Sequence, residues 1–459
     1  MIDISNREKI DIRNKKVTVL GLGLSGTAAA KLANHMGAIV FGSDLSTKND
    51  IISNSWDLMH THHIATETGI NSQKIFESEL WIVSPGIAKN SKIIKSAQVQ
   101  NIPIVGEIEF ASWFTNSKII AITGSNGKTT TSHILAKMCN TTNINGKLAG
   151  NIGIPFSQCV LDELSNPDKK RVYIVEISSF QMEFIKHFSP DIALYTNITE
   201  DHLDRHGSMK EYFDMKMKMV QNVSAENFIV YNAEDPKLES AFNNNSFKNV
   251  YSYNSNDSLF QVQNNVVTNK SNDIEFKLSN FRLPGKHNIS NFLSAATCAY
   301  LLGIKLEQIL RIFNTFQSIE HRLEYVTKIN GIDYINDSKA TNISSVIVAI
   351  KTFSKPIILL LGGYNKGADF RLLLPHIKSS YVRVVISYGE AGGHINTVIG
   401  DAVRSVQVTD LSSAVNQAQK LAKPGEVVLF SPGCASFDQF KDYEHRGAFF
   451  KSIIKDLEV

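Results

Sequence analysis

Three times in this chain a short run of branched aliphatic residues leads straight into a glycine-rich turn. Val17 to Leu20 precedes GLGLSG (21–26), Ile119 to Ile122 precedes TGSNGKTTT (123–131), and Ile357 to Leu361 precedes GGYNKGAD (362–369). A strand that ends in such a turn and is followed by a helical pattern opens an α/β unit on a parallel sheet. Spaced this widely, the three units imply three sheets. Length agrees, because 459 residues amount to about three domains at roughly 150 residues each, and a single core stops growing near about 250–300 residues. The chain is therefore expected to be α/β with three domains, at 1–114, 115–318 and 319–459. SWFTNSK (112–118) reads as the first linker, and SIEHR (318–322) lies between a helical pattern and a new strand. The Asn- and Ser-rich stretch from Tyr251 to Ser279 reads as small antiparallel strands.

Composition narrows the function. Apolar residues are 43% and charged residues 20% of the chain, enough to build cores and exclude disorder throughout. The net charge of +3 argues against a nucleic-acid binder, whose footprint would be a basic domain. Cys139, Cys159, Cys298 and Cys434 stand far apart with no CxxC pair, which excludes a disulfide framework and suits a reducing compartment. The polar N-terminus MIDISNREKIDIRNKK is unlike a secretory signal, and no apolar run approaches the roughly 20 residues that span a bilayer. A cytoplasmic protein without membrane insertion is expected.

The first glycine turn, Gly21-x-Gly23-x-x-Gly26, opens a helix, and Asp44 ends the next strand. This is Rossmann-like: glycines permit close approach of a phosphate, and the acid takes a ribose hydroxyl. NAD, another nucleotide, or none all remain open on this motif alone. The second turn, Gly124-Ser125-Asn126-Gly127-Lys128-Thr129-Thr130, offers backbone amides and a lysine to the phosphates of ATP and a hydroxyl to Mg²⁺. Ile122 stands where a strict Walker A motif has its first glycine. VEISSFQ (175–181) and NITEDHLD (197–204) follow predicted strands, so Glu176 and His202 would gather at the same sheet edge, where they could hold Mg²⁺. Tyr212 and Lys216 share a helix face, and by spacing Lys216 is a solvated lysine like Lys210 and Lys218. In the last third, Arg322, Lys339 and Lys366 could neutralise phosphate or carboxylate charge, although isolated loop lysines are more often merely solvated. His60, His62 and His63 lack a companion acid-lined strand end and read as surface residues.

Taken together, GLGLSG, SPGIA (84–88), GEIE (106–109), AITGSNGKTT, GNIG (150–153), VEISSFQ, NITEDHLDRH, LPGKHN (283–288), His321-Arg322, NDSKATN (336–342), LLLGGYNKGADF and SPGCASFDQFKDYEHRG (431–447) resemble the Mur ligases, in order and over nearly the whole length. Within that family the SSFQ and GGYNKGADF matches, and the lack of an NPR signature, favour the member that adds D-glutamate. The resemblance implies a Rossmann-like first domain holding a UDP-sugar, a P-loop central ATPase domain and a Rossmann-like third domain. It implies an ATP-dependent amide ligase that joins D-glutamate to UDP-N-acetylmuramoyl-L-alanine through an acyl phosphate, in peptidoglycan precursor synthesis. ATP and two Mg²⁺ are the implied cofactors, and a monomer is expected.

The resemblance also assigns residues. Leu24, Ser25, Asp44, Gly86 and Asn151 match positions that contact the UDP precursor. Gly124 to Thr130, Asn288, Asn291, Arg322, Asp337 and Lys339 match the ATP site. Thr129, Glu176, His202 and Lys216, the last as a carbamate, match Mg²⁺ ligands, while Lys128, His202, Lys216 and Lys339 match catalytic groups. Thr341, Lys366, Ser436, Phe437 and Tyr443 match the D-glutamate pocket. Phe437 and Tyr443 stand where the family has Leu and Phe, and Asp442 where it has Asn, which would set a like charge near an acidic substrate. Closure of domains is expected, since ATP and amino-acid contacts come from different ones. The rivals are a ligase for another amino acid, including a folylpolyglutamate-type enzyme, which would not need the front domain. An NAD-dependent oxidoreductase leaves GSNGKTT unexplained, and a P-loop regulatory protein explains the nucleotide site alone.

Overall fold

The structure is a computed structural model that describes residues 1–167, 170–201, 203–243, 247–269, 275–281, 283, 285–316, 319–365 and 367–457. The chain forms two compact units, Met1–Phe281 with Ser290–Asn314, and Arg282–Ile289 with Thr315–Val459. The first unit holds two parallel sheets. β1 (Lys16–Leu20), β2 (Ile39–Asp44), β3 (Ala65–Thr68), β4 (Leu80–Val83) and β5 (Ile104–Gly106) lie in the order β3-β2-β1-β4-β5. From β1 the chain winds outward through β2 and β3 and then returns to place β4 on β1's other side. The crevice where such an order reverses is where open α/β sheets bind ligands.

The second sheet contains β6 (Lys118–Thr123), β7 (Asn145–Gly150), β8 (Arg171–Glu176), β9 (Ile192–Tyr195), β10 (Phe228–Asn232) and β11 (Val250–Tyr253), ordered β11-β10-β9-β6-β8-β7. Its winding reverses between β6 and β9, beside the second glycine turn. Val250–Tyr253 corrects one expectation: these residues pair parallel with β10 instead of opening the antiparallel segment. That segment begins later, with β12 (Phe260–Gln263), β13 (Val266–Asn269) and β14 (Glu275–Lys277). Asn264 and Asn265 both take positive φ between β12 and β13, as a two-residue hairpin turn requires.

One apolar core serves both parallel sheets, running from Val17 and Val19 through Leu32 to Phe156, Val160, Val175 and Ala193. The linker helix Glu107–Ser112 is fixed by two acids of the GEIE segment. Glu109 accepts the backbone N–H groups of Lys186, His187 and Phe188 at 2.8–3.0 Å. Glu107 accepts the Ser157 N–H in the first turn of the helix Phe156–Ser165, the end of a helix that favours negative charge. Burial pushes the Glu107 carboxyl up to about 7.

The second unit contains β15 (Glu324–Ile329), β16 (Ile332–Asn336), β17 (Ile357–Gly362), β18 (Val382–Tyr388), β19 (Arg404–Gln407) and β20 (Val427–Gly433), ordered β15-β16-β20-β17-β18-β19. β15 and β16 form a hairpin about Asn330-Gly331, both at positive φ, and the other pairs are parallel. β17 is buried on both faces: Ile357, Leu359 and Leu361 join one core while Ile358 and Leu360 join another. This is why it reads as an unbroken aliphatic run. β20, the last strand made, sits between β16 and β17. No helix among the described residues is long and apolar enough to cross a membrane.

Candidate active site

The loop after β6 is built against the loop after β9. Gly124 has φ +145°, and a Cβ there would lie 1.9 Å from Thr196 Oγ1, so only glycine fits. Ser125 N–H donates to the Asn197 carbonyl at 2.8 Å, Asn126 N–H to Asn197 Oδ1 at 2.9 Å, and Thr196 Oγ1 to the Asn126 carbonyl at 2.7 Å. The Ser125 hydroxyl donates to the Thr199 carbonyl and accepts the Thr199 N–H. The NIT segment is thus the scaffold of the glycine loop, a role its sequence does not reveal. The helix Lys128–Cys139 starts at Gly127, whose φ is +85°, with no side chain capping its amides. Uncapped amides at a helix N-terminus are an anion site. Lys128 Nζ folds back onto the Gly124 and Ser125 carbonyls at 2.8 and 3.0 Å, and Asn291 Oδ1 lies against Gly127. Thr129 and Thr130 are buried in the first turn.

Glu176, at the end of β8, is bracketed by Thr129 Oγ1 and Asn151 Nδ2, each donating to its carboxylate at 3.0 Å. The strand pairing fixes this meeting, because Ile122 of β6 and Gly150 of β7 both pair with Glu176. A carboxylate beside a hydroxyl at a phosphate loop is the hard oxygen set that Mg²⁺ takes, so the residues present fit that ion. Among the described residues no three His, Cys, Asp or Glu side chains converge as a metal cage. His202 lies outside the described residues.

Lys216 overturns the reading from spacing. It is 1% exposed, with Nζ donating to the Gly124 carbonyl at 3.0 Å and lying 4.6 Å from the Tyr212 ring. The helix Met209–Met217 turns its Tyr212, Met215 and Lys216 face inward, and Tyr212 Oη meets Ser125 Oγ at 3.1 Å. The partners come from 92 residues earlier in the chain, beyond the reach of helical periodicity. Burial, and secondarily the Lys128 charge, holds the Lys216 amine well below the usual lysine range. An amine whose charged form is disfavoured by burial is the better nucleophile.

At the edge of the first sheet, Gly26 lets the helix Leu24–His35 close on the turn, since a Cβ would lie 1.8 Å from the Gly21 carbonyl. Leu24 is exposed in that first turn beside Ser25. Asp44 spends its carboxylate locally, accepting Leu22 N–H at 2.6 Å and Ser46 N–H at 2.7 Å. Gly86 faces open space, in the loop whose Ser84 Oγ donates to the Gly21 carbonyl at 2.8 Å.

In the second unit the loops after β16 and β20 interlock. Ser431 Oγ donates to Asp337 Oδ2 at 2.8 Å, Gly433 N–H to the Ala340 carbonyl, and Ser338 Oγ to the Tyr443 carbonyl. Burial pushes Asp337 up to about 7. Arg446, which the sequence did not single out, is fully buried and donates to Ser338 Oγ and to the Ser338, Cys434 and Ala435 carbonyls. Lys339 Nζ, in the loop after β16, lies 5.3 Å from the Tyr443 ring. Phe437 is exposed and Ser436 is not. Arg322 Nε is buried without a hydrogen-bond partner among the described residues, a donor that an anion would complete. Asp442 caps the helix Tyr443–Asp456 by accepting His445 N–H at 2.7 Å, a task that Asn performs as well. Asn288 lies in the first turn of the helix Lys286–Leu301, and Lys366 lies outside the described residues.

A P-loop sheet flanked by a Rossmann-like sheet on one side of the sequence and a further parallel sheet on the other defines a class of ATP-using ligases. Residues 15–106 match the Mur ligase MurD-like N-terminal domain, 122–299 the Mur ligase middle domain, and 321–434 the Mur ligase glutamate ligase domain. The chain belongs to the Mur ligase family. It is 36% identical to a UDP-N-acetylmuramoylalanine--D-glutamate ligase of Chloroherpeton thalassium, over 97% of this chain and 99% of that one. It is 37% identical to the ligase of the same name from Bacteroides fragilis, over 96% and 100%. Its fold is similar to that of MurC from Thermotoga maritima (TM-score 0.58, 17% identity, 96% of this chain and 100% of that one). It is also similar to MurF from the same organism in complex with ADP (TM-score 0.58, 14% identity, 99% and 98%).

Proposed function

We propose that this protein is the ligase that adds D-glutamate to UDP-N-acetylmuramoyl-L-alanine at the expense of ATP, in the cytoplasm, during peptidoglycan precursor synthesis. The observation that carries the ATP-dependent step is the constellation at Gly124: a phosphate loop, a carboxylate bracketed by Thr129 and Asn151, and the buried Lys216 amine. Full-length relatives named for D-glutamate addition support the amino acid. We assign 1–114 to the UDP precursor, 115–318 to ATP and 319–459 to D-glutamate.

The precursor's L-alanyl carboxylate attacks the γ-phosphorus of ATP, ADP leaves, and an acyl phosphate forms. The D-glutamate amine then attacks the acyl carbon, loses a proton, and inorganic phosphate departs. The protein's work is positioning and neutralising several negative groups. Leu24, Ser25, Asp44 and Gly86 hold the nucleotide end of the precursor, and Asn151 its sugar side. The amides from Gly124 to Thr130, with Lys128, cradle the ATP phosphates. Arg322 and Lys339 offset their charge, Asp337 takes the ribose, and Asn288 and Asn291 flank the adenine. Thr129, Glu176, His202 and, as a carbamate, Lys216 would hold two Mg²⁺, which would polarise phosphoryl oxygens. The unprotonated Lys216 amine is the form that attacks CO₂, losing a proton as the carbamate forms. Thr341, Lys366, Ser436, Phe437 and Tyr443 select D-glutamate.

The test is phosphate release from ATP with UDP-N-acetylmuramoyl-L-alanine, comparing D-glutamate with L-glutamate, L-alanine and meso-diaminopimelate. Turnover with D-glutamate alone is expected. Turnover with one of the others in its place would move the protein elsewhere in the family.

A further inference from the structure

Glu183 and Arg205 form an ion pair that the roles above do not use. Glu183 Oε1 accepts from Arg205 Nε at 2.9 Å, with the acid's side chain 3% and the arginine's 17% exposed. Desolvation offsets most of what such a pair contributes to stability, so its value lies in the geometry that it fixes. That geometry reaches in two directions. Toward the first sheet, Glu183 Oε2 accepts the Lys89 N–H at 2.9 Å, and Arg205 Nη2 donates to the Ile87 carbonyl at 3.4 Å. Ile87 lies in the loop whose Ser84 holds the Gly21 carbonyl.

Toward the P-loop, the Arg205 guanidinium lies 4.3 Å from the Phe180 ring, which stacks on His206 at 5.6 Å. His206 Nε2 meets Ser179 Oγ at 2.9 Å, and its ring lies 5.4 Å from Tyr212, whose hydroxyl meets Ser125. Each group from the first glycine turn to the second touches the next, and the ion pair is the link between the two sheets' loops. Arg205 also stands three residues after His202.

We propose that the Glu183–Arg205 pair is a positioning device that registers the 84–89 loop, which takes the nucleotide end of the precursor, against the P-loop, where its carboxylate reacts. This rests on the proposed precursor site. A substrate held at two distant points reacts only if the points keep their spacing, and a misplacement of about 1 Å costs about 10²-fold in rate. The planar guanidinium, engaged on Nε and Nη2 at once, sets distance and angle together, which a lysine ammonium does not.

The experiment compares wild type with Arg205→Lys and with the apolar double variant Glu183→Met/Arg205→Met, which removes both charges and keeps volume. Steady-state rates and the melting temperature are measured, together with hydrogen exchange with and without UDP-N-acetylmuramoyl-L-alanine. In both variants kcat is expected to fall about 10²-fold, with KM for ATP held within about 3-fold. The double variant should melt within a few degrees of wild type. Precursor should protect residues 84–89 and 123–131 in wild type, but only 84–89 in the variants. A double variant with wild-type kcat, a parallel rise in KM for ATP, or wild-type protection confined to 84–89 would overturn the proposal. Coupled protection in a wild-type enzyme that ignores D-glutamate would support the coupling and reject the amino-acid assignment, so the two readings fail separately. Should the double variant not fold, Arg205→Lys carries the same comparison.

Discussion

Among the described residues, the lysine and arginine side chains most completely removed from water are Lys216 beside the P-loop, 1% exposed, and Arg446 beneath the last sheet's loops, fully buried, and they are treated in opposite ways. Arg446 stays charged, because a guanidinium does not shed its proton in a protein. The fold accordingly surrounds it with four acceptor atoms from three residues. Lys216 has the Gly124 carbonyl at 3.0 Å, the Thr123 hydroxyl at 3.4 Å and the Tyr212 ring at 4.6 Å, and burial holds its amine well below the usual lysine range. A buried charge that is fully hydrogen-bonded belongs to the architecture. A buried amine that is left under-bonded is available for chemistry.

The contrast is open to direct attack. Arg446→Met strands three carbonyls in a dry interior, and at about 1–3 kcal/mol each the loss should be on the order of 4 kcal/mol or more by urea unfolding. A loss below about 1 kcal/mol would remove Arg446 from the architectural class. Lys216→Met should act the other way. Activity is expected to drop at least about 10²-fold, while stability holds or rises by about 1 kcal/mol, because a desolvated polar group has gone. Equal losses of activity and stability would erase the distinction.

Glu107 extends the comparison to an anion. Its folded-state pKa, near 7, exceeds its ordinary value of 4.5, so the folded protein holds the proton more tightly than the unfolded chain. Its contribution to stability is therefore complete below about pH 4.5 and is lost as pH rises towards about 7. Glu107→Gln keeps an acceptor for Ser157 N–H and should flatten that decline, with a gain on the order of 1–3 kcal/mol near pH 8 and none near pH 4. A gain that is the same at both pH values would show that the carboxyl is not titrating in this window. The smallest effect is expected at Asp442: Asp442→Asn should change stability by less than about 0.5 kcal/mol, as both residues cap helices well. A larger change in KM for D-glutamate than in melting temperature would place that carboxylate at the substrate.

The three large sheets were legible because each announces itself within about ten residues, by a strand and a glycine turn. The same locality exposed Lys128, Thr129 and Glu176, each next to its own strand end. What escaped depends on distant partners. Lys216 meets a carbonyl 92 residues away and Arg446 a serine 108 residues away, and neither spacing leaves a trace in a helical period. Val250–Tyr253 escaped for a related reason. An edge strand with polar alternation looks the same whether its neighbour is a hairpin mate or β10. The bracing of the P-loop by Thr196 and Asn197 was hidden because it sits at and just before the start of a motif whose chemistry lies in its acidic half.

The placement of β20 between β16 and β17 bears on how the protein is made. Until residues 427–433 leave the ribosome, the β15–β16 hairpin and the β17–β18–β19 layer have no strand to join them, and each shows the other an open edge. Arg446, which ties the loop after β16 to the loop after β20, emerges later still. The sheet of the last unit therefore cannot be closed before residues 427–433 are made, and a product stopped short of Val427 should be an easy substrate for proteolysis, whereas the first 281 residues already contain both parallel sheets of their unit.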